Sequence, residues 1–381
     1  MINKLATQVN ITNWSEVKSQ YFGVDLHKDQ ITWHCITRTK DDQVHHAMGT
    51  VLTACLQQDF IPRLNLDFSY LIVEASCSTF FFYGQVAPFC KKVYVVNPAA
   101  FRELYMTGKK TDKIDAKKLA DRLMYHVEMN DSEDNFPSVY IPDQEALEVR
   151  KLVTTYNLLV KQITQLKNQL KAVFRAKMIS LSPEALDKGL APYLTYSQID
   201  SADRTIAQSI EKAYQALRTE KDRIKEAILI MGIGRFRKEV ELLTTITGIS
   251  SMTAIVFMSD IVTVQRFPTP GRMTSYLASV GKVDASGQTV KNGSLNKRGR
   301  RTTYRFILQG IEHVIQGNII FERFVKRHSS KRYSKVRAAL VRKTFVIMYY
   351  MLKNDEPYRY FDERIYKRKK KEISNIEQKV A

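Results

Sequence analysis

A chain of 381 residues with 44% apolar and 26% charged residues has room for two or three cooperative units. That composition excludes a disordered polyelectrolyte and a small disulfide scaffold. Lys and Arg outnumber Asp and Glu by 59 to 39, and the formal charge of +20 asks for a polyanionic partner. From Lys291 onward there are 24 Lys/Arg and 8 Asp/Glu, so +16 of the surplus lies in the last quarter and the remainder is nearly balanced.

Residues 1–20 are polar, without clear periodicity, and read as a flexible extension. Two strand-like runs follow, Tyr21 to Asp25 and Gln30 to Thr37, joined by the polar Leu26-His-Lys-Asp29 as in a hairpin. A third strand around Ala47 to Leu52 leads into a helix. The apolar runs Tyr70 to Glu74 and Lys92 to Asn97 have the character of buried parallel strands, with a helix over Ser78 to Cys90 between them. This order predicts a mixed α/β sheet with helices on its faces. Asn97-Pro98 stops the last strand. Asp112 to about His126 carries Ile114, Leu119 and Leu123 along one side and is expected to be helical. The acidic, Pro-containing stretch 131–142 marks a boundary.

Apolar residues then recur in steps of three and four at Val149, Leu152, Tyr156, Leu159, Ile163, Leu166, Leu170 and Val173, which is a coiled-coil seam. A second series runs through Ile206, Ile210, Ala213, Leu217, Ile224, Ile228 and Met231. The two seams can close on each other as a helical hairpin, or either can join a second chain. From Gly232 short helices and turns are expected, with a turn at Pro268-Thr-Pro-Gly271. The tail Lys367-Arg-Lys-Lys-Lys371 is either a solvated end or a nucleic-acid contact.

Cys35, Cys55, Cys77 and Cys90 form no C-x-x-C pair, and no secretory leader is evident, which places reduced thiols in the cytoplasm. His27, His34, Cys35 and His45 are zinc-type donors, but their spacing fits no tetrahedral pattern. No apolar run reaches the ~18 residues of a membrane span, so nucleic acid explains the basic segment better than lipid. Gly108-Lys-Lys-Thr111 has Glu103 where a phosphate-binding loop needs its first glycine.

Four carboxylates stand at positions suited to chemistry. Asp25 and Glu74 end strands, and Asp112 and Asp115, three apart, share a face at a helix start. Such oxygen-rich groups suit Mg²⁺, and two ions about 4 Å apart can activate an attacking oxygen and stabilise a leaving one at a phosphodiester. Carboxylates at strand ends and helix starts also serve as caps. Ser286-Gly287, in a segment followed by Lys297, Arg298, Arg300 and Arg301, is either a nucleophile beside phosphate-binding cations or a plain hairpin turn.

The strings Gly23-Val-Asp25-Leu-His-Lys28, Val73-Glu74-Ala, Val96-Asn97-Pro98 and Lys110-Thr-Asp112-Lys-Ile-Asp115-Ala116 decide between these readings. In that order and spacing the chain resembles the IS110-type (DEDD) insertion-sequence transposases over residues 21 to about 350. Further on, Thr247-Gly248-Ile249-Ser250 stands where the family has Pro-Gly-Ile-Gly. Tyr276-Leu-Ala-Ser-Val-Gly281 and Ser286-Gly287 resemble its catalytic-serine segment, with Ser279 and Ser294 as secondary candidates. The usual Pro after Gly281 is missing, and Glu74-Ala lacks the Thr-Gly that normally follows.

The resemblance implies a RuvC-like (ribonuclease H-like) domain over 21–135, a coiled-coil hairpin over 136–232 and a mainly α-helical basic transposase domain with the catalytic serine over 233–381. It implies that Asp25, Glu74, Asp112 and Asp115 hold Mg²⁺, one or two ions with Mn²⁺ able to substitute, and that Ser286 forms a covalent link to DNA. It further implies donor and target DNA, a structured bridge RNA, a dimer or tetramer with a composite site, and a nucleoid-associated bacterial enzyme. Lys297, Arg298, Arg300 and Arg301 would contact nucleic acid. The alternatives are a Piv-like site-specific DNA invertase, a RuvC-like structure-specific endonuclease using water, and a non-catalytic binding protein.

Overall fold

The computed structural model describes residues 14–98, 111–129, 136, 138–286, 289–295 and 299–378. The chain forms two compact units, Met1–Ile141 and Pro142–Ala381.

In the first unit, β1 (Val17–Leu26), β2 (Gln30–Thr39) and β3 (Val44–Leu52) form an antiparallel meander. β4 (Ser69–Glu74) then joins parallel to β1, and β5 (Lys92–Val96) parallel to β4, giving the order β3-β2-β1-β4-β5. β1 begins four residues before the expected Tyr21, so the polar stretch is not all extension. Gln20 is buried there because Ser69 Oγ donates to its Oε1 at 2.7 Å, which satisfies a polar group that sequence polarity alone assigns to solvent. The helix expected after β3 is replaced by successive 3₁₀ and π turns over Thr53–Arg63, ending with Pro62, which cannot continue a helical ladder.

Alternation along the strands divides the sheet into two cores. Phe22, Val24 and Val73 pack with Phe82 and Val86 of α1 (Thr79–Val86). Tyr21, Ile36, Ile72 and Val96 pack on the other face with Leu119, Ala120 and Leu123 of α2 (Asp112–Glu128). Gly23 belongs to this second face, and a Cβ there would lie 2.1 Å from Ala116 O and 2.4 Å from Ala120 N. Backbone atoms cannot turn aside, so Gly23→Ala is expected to push α2 off the sheet, costing about 3 kcal/mol in thermal unfolding and abolishing DNA cleavage by separating Asp112 from Asp25. Unchanged melting would show that the helix does not need this close approach.

The second unit opens with α3 (Gln144–Ala176), two short helices α4 (Ala185–Lys188) and α5 (Ala191–Leu194), and α6 (Ser201–Leu243). Leu170 and Phe174 at the end of α3 pack with Ala207, Ile210 and Tyr214 near the start of α6. Val149 and Val153 at the other end of α3 share a core with Ile224 and Ile228. The two helices are therefore antiparallel, and their apolar stripes meet within one chain. α6 continues past Gly232 because that glycine is a contact, not a stop: a Cβ there would lie 2.3 Å from Ile255 Cγ2.

Next come α7 (Ser251–Ile261), buried along its whole length, α8 (Pro270–Tyr276), and a two-stranded hairpin of β6 (Gly281–Ser286) and β7 (Thr289–Leu295). α9 (Thr302–Gln316), α10 (Ile319–Arg327), α11 (Tyr333–Asn354) and α12 (Glu363–Glu377) complete the unit. The Pro268–Gly271 turn is the entry to α8, with Thr269 as N-cap and Pro270 in its first turn. Thr247 to Ser250 still makes a helix-to-helix turn without its proline: Gly248 takes φ +91° against Val314, and Ser250 caps α7 by accepting from Thr253 N at 3.2 Å. The basic tail is helical, and its Lys369 turns inward onto this turn.

Candidate functional site

Asp25 follows Val24 on β1, so its carboxylate projects from the face covered by α2, where the sheet ends and solvent begins. Thr111 starts α2 by accepting from Ile114 N at 3.4 Å, which fixes Asp112 in the first helical turn with Asp115 one turn further in. His27 lies between the two elements, its Nε2 3.3 Å from Asp25 Oδ2 and 3.2 Å from Asp112 Oδ2. Donor atoms of Asp25, His27 and Asp112 all fall within 4.8 Å of one another. Glu74 and Asp115 stand outside that tight group.

Asp115 nevertheless acts on it. Burial pushes the Asp25 carboxyl above the usual carboxylate range, and the negative charges of Asp112 and Asp115 push the same way against the pull of His27. Glu74 ends β4, beside β1, one residue past the Val24–Val73 pair. The turn beyond it is held by Thr79, whose Oγ1 donates to Glu74 O at 2.9 Å and accepts from Ser76 N at 2.8 Å. Several carboxylates gathered at one sheet end repel, and a divalent cation with a preference for oxygen donors relieves that repulsion. The donor set fits such an ion.

His27 is the residue whose neighbours the sequence did not reveal. Its grouping with His34, Cys35 and His45 does not form among the described residues. His34 Nε2 sits 3.2 Å from His46 Nδ1, and Cys35 is buried in the α1-side core with its thiol pushed up to about 12. The available signal was the i, i+2 spacing of Asp25 and His27, which a strand turns toward one face.

Ser286 is the last residue of β6, paired with Thr289 at the closed end of the hairpin. Gly287, Lys297 and Arg298 lie outside the described residues. The hairpin's base is tied to α8. Ser279 Oγ donates to Thr274 O at 2.8 Å, Arg300 N donates to Tyr276 O at 2.8 Å, and Gly299 at φ +110° fits against Tyr276 O. Ser279 is thus a structural residue, and Ser294 is a β7 residue.

Asp260, buried at the end of α7, accepts from Arg300 Nη1 at 3.1 Å and from Thr303 N and Oγ1 at 3.3 and 2.7 Å. Arg150 supports the same corner, donating to Ser259 O at 2.5 Å and Asp260 O at 2.8 Å. Arg300, expected among the nucleic-acid contacts, has its guanidinium anchoring the exit of the hairpin to Asp260; a buried carboxylate demands such a partner. Arg301 is the N-cap residue of α9. Nothing in the spacing of Asp260 and Arg300, 40 residues apart, announced the pair.

Two family models match the chain, one running through the end of α3 and the other starting at the end of α6. An IS110-type DEDD transposase model matches residues 85–179, which include Asp112 and Asp115. The model described as Transposase IS116/IS110/IS902 family matches residues 240–326, which include Asp260 and Ser286. Over these two segments the chain matches the IS110-type DEDD transposases. These matches support a DNA-processing enzyme acting on DNA, and the acidic group at Asp25 and Asp112 agrees with divalent-metal use. No curated protein matches the chain. Among the described residues no helix is long and apolar enough to cross a membrane.

Proposed function

We propose that the protein is a Mg²⁺-dependent transposase that cuts and exchanges DNA strands through a phosphoserine intermediate guided by a bridge RNA. The observation that carries the reading is the meeting of Asp25 and Asp112, from sequence segments far apart, within one ligand-sized group. The five-stranded mixed sheet supports a ribonuclease H-like, RuvC-like domain. Asp25, Asp112, Asp115 and Glu74 would hold the metal, with His27 at its rim. Bound there, a divalent cation supplies Lewis-acid polarisation of a phosphoryl oxygen and charge stabilisation at the leaving oxygen.

The chain's own residues supply the rest. Ser286 Oγ attacks phosphorus and gives up its proton; an O–P bond to serine forms as the P–O bond to the departing strand breaks, and the released oxygen takes a proton. A hydroxyl of the strand to be joined then attacks the phosphoserine and frees Ser286. Each exchange conserves one phosphodiester, so no nucleotide is required. The Asp260–Arg300–Thr303 corner holds the hairpin base rigid, which favours a fixed attack geometry. Following the family resemblance, the acidic group and the serine come from different protomers of a dimer or tetramer, and the RNA pairs with both donor and target. The C-terminal surplus of positive charge accommodates both polyanions.

Incubation with Mg²⁺, element-end RNA and supercoiled donor and target, followed by denaturing gels, tests this. A protein-linked DNA strand is expected. Nicked DNA with only free ends would identify a water-using nuclease instead.

A further inference from the structure

We propose that the outward face of α12 is a preformed docking surface for the phosphate backbone of duplex DNA. Between Arg364 and Lys371 six residues are cationic: Arg364, Lys367, Arg368, Lys369, Lys370 and Lys371. Helical periodicity sorts them. Ile365, Lys369, Ile373 and Ile376 fall on the inward side; Ile373 is fully buried, and Ile376 packs against the same core. Lys369 is the one cation turned inward, its Nζ donating to Thr244 O at 2.8 Å, Ile246 O at 3.2 Å and Ile249 O at 2.7 Å. Those carbonyls belong to the turn between α6 and α7, so the ammonium fastens α12 to the folded unit.

The other five cations are exposed. Arg364, Lys367, Arg368 and Lys371 stand at i, i+3, i+4 and i+7 on a single stripe, with Lys370 beside it. The ion pair on this face among the described residues is Lys367 with Glu363 at 2.9 Å, while Glu377 is drawn away to Arg237 on α6. Like charges at these spacings destabilise a helix, and this one stays formed because its inner side is docked. The arrangement is relieved by a polyanion. At about 1.5 Å per residue the stripe is about 10 Å long, the axial span of about three successive phosphates on one strand of a duplex. No exposed aromatic lies within the stripe to stack unpaired bases, which favours a duplex backbone over a single strand.

The test uses the full-length chain in EDTA, so that it is independent of metal chemistry and of Ser286. Binding to a labelled duplex of arbitrary sequence is followed by fluorescence anisotropy across a salt series. For R364Q/K367Q/R368Q/K370Q/K371Q the slope of log K against log salt is expected to become shallower by about 3, at about 0.9 per lost phosphate contact, with binding at low salt at least about tenfold weaker. K370Q/K371Q, which disturbs the helix least, should change the slope by about 1 to 2. R364K/R368K, which keeps the charge, should bind as the parent does. Unchanged slopes in both glutamine variants overturn the proposal. So does a change confined to a folded RNA probe run in parallel, which would assign the face to RNA.

Discussion

Ser286→Ala is expected to leave no DNA strand attached to protein and to lower strand exchange by about four orders of magnitude or more, the scale on which removing a covalent nucleophile acts. The size follows from the chemistry. Without the hydroxyl no phosphoserine forms, so the bond energy of the cut strand has no store and rejoining has no leaving group. The substitution sits at the end of a two-stranded hairpin whose base is held elsewhere, by Arg300 and Thr303 on Asp260 and by Ser279 on Thr274. The fold and duplex binding should therefore match the parent in melting and anisotropy measurements. Residual protein-linked DNA in Ser286→Ala would move the nucleophile to another residue, and full cleavage without any adduct would replace serine by water.

Asp25→Asn and Asp112→Asn are each expected to reduce Mg²⁺-dependent cleavage by about a thousandfold or more, several kcal/mol of lost charge stabilisation, while duplex binding in EDTA changes little. Stability should move the other way. The folded-state Asp25 carboxyl is raised by burial and by Asp112 and Asp115, so its favourable contribution is present at low pH and is lost as pH rises through the raised value. At neutral pH the metal-free protein therefore carries a repulsive carboxylate, and Asp25→Asn should melt higher than the parent in EDTA. Mg²⁺ should raise the melting temperature of the parent, by about 2.7 kcal/mol of stability at a hundredfold excess over Kd, and do so far less in the variant. Equal Mg²⁺ shifts in the two proteins would place the ion elsewhere.

The candidate site was legible in the sequence to different degrees for different residues, and the reason is range. Asp112 and Asp115 are local to the start of α2, so an apolar helical face and an i, i+3 spacing were enough to place them. The strands that end in Asp25 and Glu74 follow from apolar runs, and the seam of α3 from its steps of three and four. His27 was seen as a zinc-type donor, because its i, i+2 spacing from Asp25 says nothing of Asp112, which it also meets. Arg300 looked like a free cation, because its partner Asp260 lies on another helix. Gly232 looked like a boundary until Ile255 explained its lack of a side chain.

By itself the sequence determined the periodic faces, the helical start at Asp112, the concentration of positive charge at the C-terminus and the strings that mark the family. All of these are properties of short stretches, where steric preference and apolar spacing act without help. Only the tertiary structure decided which charges meet: Gly23 lets α2 settle on the sheet and brings Asp112 to Asp25, Asp260 captures Arg300, and Lys369 alone of its run turns inward. Those pairings depend on close packing between segments distant in the chain, and a charged side chain's partner is set by burial and distance that no local pattern encodes.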